Sequence, residues 1–283
     1  MIIWLASYPK SGNTYVRAFL SAYYFSENGQ FDFSQISKIE QFPHEKFFSK
    51  KVNSISEASK QWIPIQKEIN KDKRIRFFKT HSFLGNYQGN EFTSPETTLG
   101  AVYIVRDPRN VITSLKNHYS FDDDKALEMI TDKTRSLMSN NGSHASLNYI
   151  SSWGENYLSW FRNNKFRKLF VKYEDLITNK YETFRDIIVF TNTLMNRIEG
   201  VDKSKLQKAI ETTNFNILKK KEISETFDGS GSSFKSWRKF HSENKNLFFN
   251  LGPDNNWKKI LKKKISIEIE NSFEKEMKKL GYL

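Results

Sequence analysis

The sequence predicts an α/β fold in which a mainly parallel sheet carries helices on both faces, with a single domain over residues 1–283. Two observations support this prediction. Short apolar segments alternate along the chain with longer segments whose apolar residues recur at helical spacing. In addition, no internal repeat and no long linker rich in Gly, Pro or Ser divides the chain. Buried strands that alternate with helices are typical of a parallel sheet covered on both sides.

Four short apolar segments are predicted as strands, and polar or turn-forming residues follow each of them. They are residues 2–6, 73–81, 99–108 and 167–176. Helical spacing predicts helices over residues 16–25, 109–119, 179–192, 203–213 and 266–283. Ligands of parallel α/β sheets bind beyond the carboxyl ends of the strands. Lys10, His81 and Arg106 each lie just past an apolar run, so they become candidate site residues.

Composition limits the classes of function. The 24 phenylalanines and a hydrophobic content of 37% provide ample material for a core. The absence of cysteine excludes disulfides, thiolate catalysis and cysteine–zinc sites, and it favours a reducing, cytoplasmic location. No run approaches the ~18 apolar residues of a membrane span, so stable membrane insertion is not expected. The opening segment MIIWLASYPK lacks a basic leader and a cleavage site, which argues against a signal peptide.

The formal net charge of +13 predicts an anionic partner. Nucleic acid, an anionic membrane or a polyanionic small molecule would each satisfy it. Much of the excess lies in the lysine-rich runs 218–222 and 258–264. Lysine-rich faces are usually solvated, and we favour that interpretation for these two runs.

The segment SYPKSGNTY (Ser7–Tyr15) joins the first predicted strand to the first predicted helix. A strand, a tight turn and a helix in this order direct backbone N–H groups and a helix N-terminus at a phosphate. In a Walker loop, G-x-x-x-x-G-K-[ST], the lysine follows the glycine. Here Lys10 precedes Gly12, so the loop is not a Walker loop.

Further charged and basic groups follow the other strands. His81 comes two residues after Lys79, so both side chains can point to one face of a strand end. An imidazole near its ordinary pKa of about 6.5 is a competent base at neutral pH, and lysine supplies a fixed charge. The Arg106 guanidinium can bind a second phosphate through two N–H groups, and Ser114 lies in the following helix. The alternatives are a structural histidine and an ion pair between Arg106 and Asp107 or another carboxylate.

A metal site is poorly supported by the sequence. There is no H-E-x-x-H motif, the acidic triplet Asp122–Asp124 is predicted in a loop, and no apolar strand ends in an Asp placed for Mg²⁺. ATP chemistry almost always uses Mg²⁺. The residues therefore predict a ligand with two phosphate-like ends that is bound without a metal.

Seven segments, in order along nearly the whole chain, resemble the cytosolic-type sulfotransferases, which use 3′-phosphoadenosine 5′-phosphosulfate (PAPS). They are YPKSGNTY (8–15), KTH (79–81), VYIVRDPRNVITSLKNHY (102–119), VKYEDL (171–176), ETTNFNILKKKE (211–222), FFNLGPDNNW (248–257) and FEKEMKKLGYL (273–283). The resemblance implies a P-loop-NTPase-like sulfotransferase fold and transfer of a sulfuryl group from PAPS to a hydroxyl or amine. It also implies metal-independent chemistry and release of 3′-phosphoadenosine 5′-phosphate (PAP).

The resemblance also implies residue roles. Lys10 would stabilise the leaving oxygen, Lys79 would assist at the sulfuryl oxygens, and His81 would be the general base in an in-line displacement. The implied nucleotide-binding residues are Lys10, Ser11, Gly12, Asn13, Thr14, Tyr15, Arg106, Ser114, Tyr173, Thr213, Asn214, Phe215, Leu218, Asn250, Leu251 and Gly252.

One feature departs from the family pattern, and one segment has two possible interpretations. Asn250 and Leu251 replace an Arg-Lys pair that the family places near the 3′-phosphate, and Lys258, Lys259 or Arg238 could substitute for it. Residues 228–246 are predicted either as a flap over the substrate or as a plain surface loop. The acceptor, a small molecule or a glycan, is not identified by the sequence. The alternative functions are a P-loop kinase of small molecules that uses ATP and, with less support, a basic nucleic-acid-binding protein.

Overall fold

The computed structural model describes residues 1–138, 147–223 and 247–283. The predicted flap and Arg238 lie outside these residues. The strands of the described part are β1 (Ile2–Ser7), β2 (Glu40–Gln41), β3 (Arg76–Thr80), β4 (Asn86–Tyr87), β5 (Asn90–Glu91), β6 (Thr98–Val105), β7 (Ser136–Met138), β8 (Leu147–Tyr149) and β9 (Arg167–Lys172).

The α-helices of the same ranges are α1 (Asn13–Phe25), α2 (Ile55–Ser59), α3 (Trp62–Ile69), α4 (Pro108–Tyr119), α5 (Asp123–Thr131), α6 (Trp153–Arg162), α7 (Tyr173–Thr178), α8 (Lys180–Leu194), α9 (Lys203–Thr212), α10 (Phe215–Ile223), α11 (Trp257–Ile260), α12 (Lys263–Ser272) and α13 (Glu274–Lys279). No helix in the described ranges is both long enough and apolar enough to cross a bilayer.

The main sheet has five strands in the order β2-β3-β1-β6-β9, and every pairing in it is parallel. The predicted mainly parallel sheet is thus confirmed. The two-residue strand β2 was not predicted. The predicted strand 167–176 is too long, because the chain turns into helix α7 at Tyr173. Because every pairing is parallel, the carboxyl ends of all five strands lie at the same edge of the sheet.

Alternate residues of β1 enter two separate cores. Trp4 and Ala6 lie in the core on one face of the sheet, and Ile3 and Leu5 lie in the core on the other. Since successive side chains of a strand point to opposite faces, both faces of the central strand are covered. The prediction of helices on both faces is confirmed.

The prediction of a loop at Asp122–Asp124 is wrong, because these residues begin helix α5. The Asp122 side chain accepts a hydrogen bond from the Lys125 N–H at 2.9 Å, as an N-cap does. Carboxylates are favoured in a first helical turn by the helix dipole. Asp123 also forms ion pairs with Lys116 and Lys262. The triplet is therefore part of the helix start.

The carboxyl-terminal segment also differs from its prediction. A single helix was predicted over residues 266–283, whereas the chain forms α12 and α13, with Phe273 between them. Phe273 is buried against Trp153, with ring centroids 5.1 Å apart. The chain leaves α12 and enters α13 at this packed aromatic side chain, and helical spacing in the sequence does not predict the break.

Candidate active site

A cavity of about 500 Å³ opens at the carboxyl ends of β1, β3 and β6. The predicted site residues that line it are Lys10, Gly12, Asn13, Thr14, Tyr15, Lys79, His81, Arg106, Ser114, Tyr173, Phe215, Leu218, Asn250, Leu251 and Gly252. The predicted residues Ser11, Thr213 and Asn214 do not line it. The fold therefore brings together segments that are far apart in the sequence.

The loop between β1 and α1 has an unusual backbone. Lys10 adopts φ 66° and Gly12 adopts φ 100°, both in the left-handed region. A Cβ on Gly12 would lie 2.4 Å from the Tyr173 ring, so glycine is required there by conformation and by space. The Asn13 side chain donates to the Leu5 carbonyl at 2.8 Å and fixes the start of α1 to β1.

Several buried polar atoms near this loop have no hydrogen-bond partner within the described residues. They are Ser11 Oγ, Asn13 Oδ1 and Arg106 Nε. A buried polar group without a partner is costly, so such atoms suggest a bound group. Of these three, the Arg106 guanidinium both lines the cavity and donates hydrogen bonds, which fits the oxygens of phosphate or sulfate, whereas Asn13 Oδ1 can only accept.

Two half-buried lysines face the same cavity. Lys10 Nζ lies 4.3 Å from the centre of the Phe248 ring, and Lys79 Nζ donates to Gln41 Oε1 at 2.9 Å. Burial, as the larger cause, and the charge of Arg106, as the smaller one, lower the pKa of Lys10 to about 7. Burial, as the largest cause, and the charges of Arg17 and Lys10 lower the pKa of Lys79 to about 7. None of the described residues that line this cavity is an Asp or a Glu, so the lysines would be stabilised by an anionic ligand.

His81 is held in one tautomer by the backbone. Its Nδ1 lies 2.8 Å from the Ser7 carbonyl oxygen, which can only accept, so Nδ1 carries the proton and Nε2 is a free base. Burial, then the charge of Lys79, lowers the pKa of His81 well below 6.5. The ordinary pKa that the sequence suggested is therefore corrected downward, and the ring is neutral at pH 7.

Two asparagines that sequence reasoning missed hold the backbone around His81. Asn148 Oδ1 accepts the His81 N–H at 3.3 Å and the Ser82 hydroxyl at 2.9 Å. Asn156 Nδ2 donates to the His81 carbonyl at 3.1 Å. Both asparagines are fully buried. No motif marks them, because they reach the site only through the fold.

Arg106 lies at the end of β6, where its guanidinium packs 4.1 Å over the Tyr173 ring. It donates to the carbonyls of Lys10 at 3.2 Å and Gly252 at 3.4 Å. The alternative of an ion pair with Asp107 is wrong, because Asp107 pairs with Arg109 at 2.7 Å.

Asp107 also positions the helix that follows Arg106. Its side chain accepts the Arg109 N–H at 2.9 Å, and Pro108 occupies the first turn of α4. Ser114 lies in this helix and lines the same cavity as Arg106.

The far end of the cavity is aromatic and apolar. Phe215 lies against Gly252, where an added Cβ would meet its ring at 2.2 Å. Thr213 instead points into its own helix and donates to the Ala209 carbonyl at 2.7 Å. The Asn214 side chain accepts the Asn216 N–H at 3.0 Å. The structure thus places Thr213 and Asn214 at a helix junction beside the cavity.

A lysine other than the two suggested by the sequence lies beside Asn250. Lys219 Nζ donates to the Asn250 carbonyl at 2.7 Å. Lys219, Lys258 and Lys259 are all outside the lining of the cavity. Sequence reasoning missed Lys219 because it treated the run 218–222 as a solvated face.

Sequence reasoning also missed further residues that line the cavity. They come from five separate segments, and all but Tyr119 lie outside the seven segments that resemble the family: Arg17, Gln41, His44, Tyr119, Phe121, Met129, Arg135, Ser136, Leu137 and Met138. Within the three described ranges, no group of three or more His, Asp or Glu residues is placed to hold a metal ion.

Comparison with known proteins agrees with this geometry. Residues 2–281 match the sulfotransferase domain family, so the chain belongs to that family. No curated protein gave a match to the chain.

Solved structures of sulfotransferases share the fold. Mouse sulfotransferase SULT7A1, complexed with PAP, is 19% identical with a TM-score of 0.60, over 98% of this chain and 84% of that one. Retinol dehydratase in a complex with retinol and PAP is 16% identical with a TM-score of 0.59, over 98% and 81% of the two chains. The predicted P-loop-like sulfotransferase fold is therefore confirmed, and the protein is a sulfotransferase.

Proposed function

We propose that the protein transfers the sulfuryl group of PAPS to a hydroxyl or amine of a small-molecule or glycan acceptor, with His81 as general base. The observation that carries this proposal is the arrangement in one cavity of the loop between β1 and α1, two half-buried lysines and a neutral histidine whose Nε2 is unprotonated. The structures of SULT7A1 and retinol dehydratase each contain PAP, which supports PAPS as the donor.

The nucleotide end of the cavity fits such a donor. The loop from Lys10 to Thr14 would bind the 5′-phosphosulfate through backbone N–H groups and the Lys10 ammonium. Arg106 and Ser114 would bind the 3′-phosphate. Tyr173 and Phe215 would pack near the adenine.

The chain's residues divide the chemistry between them. Nε2 of His81 accepts the proton of the acceptor hydroxyl as the acceptor oxygen forms its bond to sulfur. Lys10 stabilises the 5′-phosphate oxygen that leaves as the old S–O bond breaks. Lys79 stabilises the charge on the sulfuryl oxygens. The activated donor supplies the leaving group, and His81 later releases its proton to water.

We further propose that residues 1–283 form one domain and that the protein acts in the cytoplasm. The family match over residues 2–281 supports the first point, and the absence of cysteine supports the second.

Arg106 is expected to recognise the 3′-phosphate. Replacing Arg106 with alanine should weaken PAP binding by about 10- to 100-fold, because a charge-assisted hydrogen-bond donor is lost. Binding of adenosine 5′-phosphate, which lacks the 3′-phosphate, should change by less than about threefold. Isothermal titration with both nucleotides checks this, and equal losses would contradict the assignment.

The affinity for PAP should fall as the pH rises from 7 to 9. In the free protein Lys10 and Lys79 have pKa values of about 7, and only the charged ammonium groups attract the anion. The bound anion raises both pKa values, so binding takes up protons above pH 7. We expect a loss of more than tenfold by pH 9. Titration in buffers with different ionisation enthalpies measures the proton uptake, and a pH-independent affinity without uptake would contradict it.

The proposed function is tested by a screen with ³⁵S-labelled PAPS over alcohols, phenols, amines and glycans in the presence of EDTA. Label should appear on at least one acceptor class. A thermal-shift series with PAP, ATP–Mg²⁺ and duplex DNA distinguishes the alternatives, and PAP should give the largest stabilisation. Stabilisation by ATP–Mg²⁺ or DNA without any by PAP would overturn the proposal.

A further inference from the structure

Arg135 lines the cavity and lies outside the segments that resemble nucleotide-binding motifs. Its Nε is buried without a hydrogen-bond partner. Nor does a hydrogen bond or ion pair join its guanidinium to any residue in the described ranges. An arginine in such surroundings normally has a carboxylate, a carbonyl or an anion as its partner. Arg135 is therefore a cation in the cavity that the described part of the protein leaves unpaired.

A chain of hydrogen bonds connects the backbone at Arg135 to the backbone at His81. The Arg135 carbonyl accepts the N–H of Ile150 at 2.9 Å. The Ile150 carbonyl in turn accepts from Asn156 Nδ2 at 2.8 Å, and the same Nδ2 donates to the His81 carbonyl at 3.1 Å. One buried amide thus joins the segment that carries Arg135 to the strand end that carries the base. The segments that carry Arg135 and His81 are therefore joined, and both residues line the same cavity.

The cavity that Arg135 lines also has aromatic and apolar residues. Tyr119, Phe121, Met129 and Leu137 are among them. No Asp or Glu of the described chain lines the cavity, so no lining carboxylate competes for the guanidinium. An apolar wall strengthens an ionic contact, because it excludes water from it. This combination suits a ligand with an apolar or ring-shaped body and one anionic group.

Other cations in the cavity already have roles or partners. Lys10 and Arg106 belong to the segments that resemble nucleotide-binding motifs, and Lys79 is bonded to Gln41. Arg17 donates to the Ile36 carbonyl at 2.8 Å. Arg135 lies in a segment, 132–138, that matches no nucleotide motif, and unlike Arg17 its side chain has no hydrogen bond to the described residues.

We propose that the acceptor is itself an anion, and that Arg135 binds its carboxylate, sulfate or phosphate group while its hydroxyl lies at His81. This inference rests on the proposed function, and it narrows the substrate class to hydroxyl compounds that already carry an oxyacid group. Arg135 acts as a binding and specificity residue, since it selects which hydroxyl compound is held at the base.

The test compares acceptors that are matched in shape and differ in charge. The pairs are 4-hydroxyphenylacetate with 4-hydroxyphenylacetamide and 4-hydroxybenzenesulfonate with 4-hydroxybenzenesulfonamide. The full-length protein, saturated with PAP, should bind the anionic member of at least one pair about 10- to 100-fold more tightly than its neutral partner. Arg135→Gln should remove that preference, and Arg135→Lys should keep part of it. Which pair responds distinguishes a carboxylate from a sulfonate-like group.

A matched control removes a lysine from the same segment. Lys133 is exposed, with a side-chain exposure of 74%, and does not line the cavity, so Lys133→Gln should leave the preference unchanged. The inference would be overturned if the two members of each pair bound with equal affinity, or if neither bound. It would also be overturned if Arg135→Gln kept the preference for the anionic member. These outcomes leave PAP binding intact. Failure of the proposed function would instead appear as loss of PAP binding in the wild type.

Discussion

Replacing His81 with alanine is expected to lower kcat by about 10²- to 10⁴-fold, the usual contribution of a general base. The affinity for PAP should change little, because the imidazole contacts the Ser7 carbonyl and is assigned to the acceptor. Steady-state rates per folded molecule, together with PAP titrations, measure the two effects separately.

An asparagine at the same position distinguishes catalysis from packing. Asn has an amide N–H that can replace the Nδ1–H donor to Ser7, but it has no equivalent of Nε2. His81→Asn should therefore restore thermal stability without restoring turnover. A purely structural histidine would give the opposite result, with rates recovered along with stability.

The acid limb of the pH–rate profile should also report His81. Because burial and Lys79 lower its pKa well below 6.5, activity in the free enzyme should fall only at acidic pH. Protonation of Nε2 on that limb removes the base.

Replacing Lys10 with alanine is expected to impair both binding and turnover. The loss of a charge-assisted contact should weaken PAP binding by about 10- to 100-fold. The same charge stabilises the leaving oxygen, so kcat should fall by a further ~10²-fold or more. Nucleotide titration and single-substrate kinetics measure both losses.

The backbone at Lys10 supplies the control for this variant. Its φ of 66° is in the left-handed region, which asparagine tolerates better than alanine does. Lys10→Asn should thus keep the loop and its stability while losing the charge, and it should be as impaired as the alanine variant. An active Lys10→Asn protein would show that the backbone, and not the ammonium, accounts for the effect.

Much of the fold could be predicted because β1 and β6 are long, mainly apolar runs that end at polar residues. β2 could not, since its two residues are ordered only by pairing with β3. The start of α5 at Asp122 was missed, because three acidic residues are compatible with a loop as well as with a helix cap. Local sequence therefore predicted the elements whose own apolar pattern is long enough.

The candidate site likewise contains residues that local sequence identifies and residues that only the fold brings together. The loop around Lys10 and Gly12 is a contiguous motif, so local sequence is enough to recognise it. Arg135 and Asn156 come from segments without a motif, and only the fold brings Arg135 to the cavity and Asn156 to the His81 carbonyl. The lowered pKa of His81 depends on burial and on the position of Lys79 in three dimensions, and residue identity alone does not determine either.

The central claim is a direct, in-line transfer in which His81 is a base and never carries the sulfuryl group. A single-turnover experiment with excess protein, ³⁵S-labelled PAPS and the best acceptor of the screen tests it most directly. We predict that label passes from PAPS to the acceptor without appearing on the protein, and that His81→Ala slows this step by the same factor as it lowers kcat. Label that reaches the protein before the acceptor, or a His81→Ala protein that transfers at the wild-type rate, would contradict the account.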